Sequence, residues 1–121
     1  MTIINNSKSN KNFKIIERNL YVIVILFKMD TENGLEEFQE RISEFLTNPK
    51  DLVINFCCTD KIPDSWISSL TVLKNNLSTI NKKMKFVFVP SDIQNKILSS
   101  TSELNREDIC SDLLEAIERF K

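Results

Sequence analysis

Leu20-Tyr21-Val22-Ile23-Val24-Ile25-Leu26-Phe27 is an eight-residue run with no charged residue, glycine or proline in it. Its β-branched and aromatic residues favour a strand, and apolar side chains at consecutive positions imply burial on both faces. The run is far short of the roughly 20 residues needed to cross a bilayer. Leu52-Val53-Ile54-Asn55-Phe56-Cys57 has the same character, so these two runs are predicted at the centre of one sheet. Phe13 to Glu17 reads as an edge strand. Met84 to Val89 reads as a fourth strand, closed by Pro90-Ser91.

The segments between the strands carry helical periodicity. Leu35, Phe38, Ile42, Phe45 and Leu46 form one apolar stripe, with Glu36, Glu37, Gln39, Glu40 and Arg41 opposite, and Asn48-Pro49 ends it. A second helix is predicted from near Pro63-Asp64, because proline suits a first turn and aspartate or serine an N-cap. Its stripe is Ile67, Leu70, Leu73 (or Lys74 beside it), Leu77 and Ile80. A short helix runs from Ser91 to about Ser99, with Ile93, Ile97 and Leu98. A last helix, capped by Ser111, turns Leu113, Leu114, Ile117 and Phe120 inward. The order β-β-α-β-α-β-α-(short β)-α implies right-handed crossovers and an α/β fold: a four- to five-stranded, mostly parallel sheet with about four helices, the first strand pair being the exception. Residues 1–12 read as a disordered polar tail, and 13–121 as one domain.

Composition narrows the chemistry. The 121 residues include one glycine, Gly34, and no histidine. A single glycine cannot build a phosphate-cradling loop, and without histidine there is no Ser-His or Cys-His nucleophile pair. Cys57, Cys58 and Cys110 show no metal-ligand spacing and read as buried, reduced thiols. The net charge of −1 gives no basis for nucleic-acid binding. We therefore expect a cytoplasmic, non-catalytic protein with no cofactor, no metal and no membrane insertion.

Several stretches resemble the STAS family, the anti-sigma-factor-antagonist fold. Phe27-Lys28-Met29-Asp30 stands where that family has a Gly-x-Leu-Asp-like motif, keeping Asp30 and losing the glycine. Val53-Ile54-Asn55-Phe56 matches its third strand, which reads apolar, apolar, Asp or Asn, apolar. Phe88-Val89-Pro90-Ser91, followed by Ile93 and Leu98, is similar to its strand-ending Pro-Ser turn. The resemblance spans about residues 13 to 120, without the glycines of the Asp-Ser-Ser-Gly-apolar-Gly signature. It implies regulation by binding a protein partner, of the kinase-type anti-sigma class, through the N-terminus of the second helix. It also leaves open an accessory role in a larger assembly, such as a stress-signalling scaffold or a lipid-transport complex.

Two registers fit the signature. Matching letters puts Asp64-Ser65 on the family's Asp-Ser, makes Ser65 the phosphate acceptor, and turns Ser68 inward. Counting without a gap from Asn55 puts Asp64 on the phosphorylatable serine, Ser65 on the second serine, Trp66 and Ser68 on the two glycines, and Ile67 on the buried aliphatic. The ungapped register is preferred, because turning isoleucine outward forfeits about 1.5–3 kcal/mol of burial. The expected partner-binding or phospho-switch region is Asp64, Ser65, Trp66, Ser68 and Ser69, with Asp30 and Asn55 as loop positions. Each has a bland counterpart. Asp64 suits an N-cap. Trp66 is either wedged beneath the preceding loop or a partly exposed contact anchor. Lys82, Lys83 and Lys85 read as a solvated helix end, and Glu107-Asp108 as ordinary surface.

Overall fold

The computed structural model describes residues 13–27, 35–45, 47, 49–100 and 104–121. The expected tail, Asp30, and the side chains of Ile42, Phe45 and Leu46 lie outside them. Five strands, β1 Phe13–Glu17, β2 Tyr21–Leu26, β3 Asp51–Asn55, β4 Met84–Val87 and β5 Ile109–Cys110, form a single sheet in sequence order. β1 runs antiparallel to β2, and every other pairing is parallel. Four helices fill the connections: α1 Leu35–Phe45, α2 Asp64–Thr79, α3 Ser91–Ser100 and α4 Leu113–Phe120.

Alternation along each strand sorts the core into two layers. Val22, Val24, Leu26, Leu52, Ile54, Met84 and Phe86 face α1, α2 and α3 and pack with Phe38, Trp66, Ile67, Leu70, Ile93 and Ile97. Ile23, Val53, Val87 and Cys110 face α4 and meet Ala116, with Tyr21, Leu113 and Phe120 at the margin. The parallel interior strands are thus covered on both sides, as their unbroken apolar runs require.

Several helix ends and surfaces differ from the sequence expectation. Asp112, not Ser111, caps α4, accepting the Glu115 N–H at 2.9 Å. Ser111 instead donates its N–H and hydroxyl to the Glu115 carboxylate. Leu114 is 68% exposed, because the inward stripe of α4 runs through Leu113, Ala116 and Phe120 and Leu114 falls about 100° off it. Ile80 is the C-cap of α2 and partly exposed. Beyond it Asn81 adopts φ 62°, and the N–H groups of Asn81 and Lys82 close on the carbonyls of Ser78 and Leu77, a Schellman ending. β4 stops two residues early because Phe88, at φ 54°, leaves the strand conformation.

The largest correction concerns charge. Asp108 is 4% exposed, with Lys74 Nζ at 2.6 Å and Lys85 Nζ at 3.5 Å from its two oxygens. Lys74 comes from α2. Lys85 comes from the α4-facing side of β4, so neither it nor Asp108 is the solvated residue its neighbours in sequence suggested. Asp108 Oδ2 also accepts the Asn105 N–H at 3.0 Å, while Asn105 Oδ1 accepts the Glu107 N–H, which fixes the 3-10 turn Arg106–Asp108 leading into β5.

Asp108→Ala removes the buried carboxylate that two partly buried lysines and the Asn105 N–H share. A loss of about 3–5 kcal/mol is expected, against less than about 0.5 kcal/mol for exposed Leu114→Ala. Urea unfolding measures both, and an Asp108→Ala midpoint equal to the parent's would contradict the assignment.

Candidate functional site

β3 ends at Asn55, and the loop to α2 is built from short polar bonds. Asn55 Oδ1 accepts the Cys57 N–H at 2.9 Å, the Thr59 N–H reaches the Phe56 carbonyl at 3.3 Å, and Thr59 Oγ1 donates to the Lys61 carbonyl at 2.8 Å. Asn55 therefore holds this turn in place, an Asx-type role that residues of its kind favour. Ile62 is buried and ties the loop's end to the core.

Pro63 is the N-cap of α2, with extended φ −69° and ψ 153°, and no side chain caps the helix. Its carbonyl accepts the N–H groups of Trp66 and Ile67. Asp64 is thus the first helical residue and not the cap. Its side chain is 88% exposed and pairs with Lys96 of α3 at 3.1 Å. Lys96 also donates to the Ile62 carbonyl at 2.5 Å, linking α3 to the loop. An ion pair this exposed contributes at most about 1 kcal/mol, so Asp64 is held lightly and points into solvent. Beside it lies an open cavity of about 530 Å³, lined by Asp60, Lys61, Pro63, Asp92, Ile93 and Lys96.

The other expected site residues disperse. Trp66 is wholly buried, with its ring centroid 4.7 Å from Phe38 and 6.4 Å from Phe13. Its burial removes the alternative of a partly exposed contact anchor, and its ring partners come from α1 and β1. The cause is packing: α1, α2 and β1 converge on the indole, which meets Phe38 and Phe13 in the main core layer. Ser65 is half-buried, and its hydroxyl oxygen is hidden from solvent with no hydrogen-bond partner among the described residues. Ile67 and Leu70 are buried and Ser68 is exposed, the burial pattern that favoured the ungapped register. Ser68 and Ser69 line a groove of about 340 Å³ between α1 and α2, where Ser69 accepts a hydrogen bond from Gln39 at 2.7 Å. Ser68, four residues after Asp64, stands one turn along on the same exposed side of α2, while Ser69 lies about 140° around the helix from Asp64.

Sequence reasoning misplaced three neighbours of this site. Cys57 and Cys58 are exposed, with only Cys110 buried, because the β3 run leaves the sheet after Asn55. Phe88, 47% exposed at the end of β4, follows Val87, whose carbonyl accepts the Phe56 N–H at 3.0 Å. Its positive φ, costly for an aromatic residue, was invisible in sequence. Among the described residues no three His, Cys, Asp or Glu side chains converge as a metal site, and no helix is long and apolar enough to cross a membrane.

No family model and no curated protein matches this sequence. Solved structures do. The unphosphorylated anti-sigma factor antagonist SpoIIAA superposes with a TM-score of 0.73 at 16% identity, over 88% of this chain and 94% of its own. RsbS from Moorella thermoacetica gives 0.71 at 12%, over 89% and 93%. A murine anion transporter of the solute carrier 26 family gives 0.64 at 11%, over 97% of this chain but 23% of its own.

Trp66→Ala is expected to cost about 3–5 kcal/mol, and the emission of the sole tryptophan to be blue-shifted and shielded from acrylamide. Free quenching in the native state would contradict its burial. The chain has the fold of the SpoIIAA-type anti-sigma factor antagonists, the STAS fold.

Proposed function

We propose that this chain is a non-catalytic regulator that binds a protein partner through the N-terminus of α2 and the loop preceding it, as an anti-sigma-factor antagonist would. The observation that carries the reading is Asp64. On the STAS fold, ungapped spacing from Asn55 puts it at the phosphorylatable position, and there it stands almost fully exposed at a helix start. A carboxylate at that point supplies a fixed single negative charge where phosphate would supply about −1.5 to −2. The positive end of the helix macrodipole favours it. Ser65, the acceptor in the rival register, has its hydroxyl oxygen covered, which supports Asp64 as the residue that sets the charge of this face. The partner on this reading is a kinase-type anti-sigma factor, and the site would be held in a phosphorylated-like state.

A second reading is supported by the transporter match. There the same fold occupies under a quarter of a much longer chain, and on this reading the chain is an accessory subunit of a larger assembly, such as a stress-signalling scaffold or a lipid-transport complex. The native mass of the complex captured from the source cell separates the two: a single small kinase for the first, a multi-subunit particle for the second.

With a kinase-type anti-sigma factor as partner, wild-type protein is expected to take no phosphate, whereas Asp64→Ser takes one on the new serine, seen by intact mass. Asp64→Lys reverses the charge of the face and is expected to change the affinity by about tenfold or more, about 1.4 kcal/mol. Phosphate found on Ser65 of the wild-type protein would overturn the assignment of Asp64.

A further inference from the structure

Cys57 and Cys58 are adjacent and exposed, and their Sγ atoms lie 3.2 Å apart, within S–H···S reach. Two local bonds hold the backbone that carries them, one from the Cys57 N–H to Asn55 Oδ1 and one from the Thr59 N–H to the Phe56 carbonyl. The sulfurs are therefore already neighbours in the resting loop. The third thiol, Cys110, is buried against α4, so a solvent-borne reagent meets a dithiol at one place only.

We propose that Cys57 and Cys58 form a reactive vicinal dithiol, a modification site that takes small-molecule disulfides and closes on itself as a Cys57–Cys58 disulfide. Desolvation and the neighbouring Cys58 push the Cys57 thiol up. In the first step the Cys58 thiolate attacks one sulfur of the reagent, its S–S bond breaks, and one thiolate leaves and takes up the proton that Cys58 released. In the second step Cys57 gives up its proton and attacks the Cys58 sulfur of the mixed disulfide, expelling the second thiolate, which is protonated in turn. The protein loses two electrons and two protons, and the reagent's one disulfide becomes two thiols. Adjacent α-carbons are about 3.8 Å apart, below the usual disulfide range that starts near about 4.4 Å. The closed form is therefore strained, and a dithiol reductant reopens it readily. This site stands on the geometry of the two sulfurs and does not depend on the proposed partner.

The test is intact-mass analysis of folded protein after incubation with oxidised glutathione and acid quenching. The parent is expected to lose two hydrogens and retain no glutathione, and to recover its mass with dithiothreitol. Cys57→Ser and Cys58→Ser should each stop at one retained glutathione, while Cys110→Ser should behave as the parent. Unchanged Trp66 emission during the reaction places it in the folded chain. A parent that accumulates as a glutathione adduct, stays unmodified, or reacts only once that emission shifts would overturn the proposal. So would a two-hydrogen loss surviving in Cys58→Ser.

Discussion

Val53 and Ile54 are successive residues of β3, point to opposite faces of the sheet, and are both sealed from solvent. A strand in that position needs cover on both sides, and the rest of the architecture answers this need. One face carries the bulky layer, where α1, α2 and α3 meet the sheet through Phe38, Trp66, Leu70, Ile93 and Ile97. Among the described residues the other is closed by α4, which approaches through the small side chain of Ala116 and the Tyr21–Phe120 ring pair at 6.5 Å. With each fully buried aliphatic or aromatic side chain contributing about 1.5–3 kcal/mol, the two layers together hold the parallel strands in place.

The same constraint positions the candidate site. Parallel strands end at a common edge, and crevices of open α/β sheets lie there. β3, β4 and the starts of α2 and α3 converge at that edge. Trp66 sits at the third position of α2 and is locked between Phe13 and Phe38, which fixes the rotation of the helix about its axis. Asp64, two residues earlier and about 200° around the helix, is thereby driven to the solvent side. A buried aromatic thus sets where an exposed charge points, with no direct contact between them.

A second polar device steadies the far side of the sheet. β5 is only two residues long and pairs with β4 alone. Asp108, placed immediately before it, gathers Lys74, Lys85 and the Asn105 N–H around one carboxylate. Networks of this kind are costly when incomplete and specific when satisfied. Here the network ties α2, β4 and the turn into β5 together at the edge of the sheet.

The strands, their order and the crossovers were legible in the sequence, because they rest on short apolar runs and on periodicity within single segments. Leu20–Phe27 and Leu52–Cys57 announce interior strands by composition alone, and the striped segments between them leave few ways to connect a mostly parallel sheet. The spacing of Ile67 and Leu70 also foretold which side of α2 turns inward. Other features depended on groups distant in the chain. The burial of Asp108 comes from lysines 34 and 23 positions away. That of Trp66 comes from Phe13 and Phe38, which approach it from β1 and α1. The exposure of Cys57 and Cys58 follows from where β3 leaves the sheet, and the outward turn of Leu114 from the angle at which α4 crosses it. Sequence patterns encode how a segment divides its own faces. Which face, charge or thiol remains open to solvent is decided only when separate segments compete for the same space.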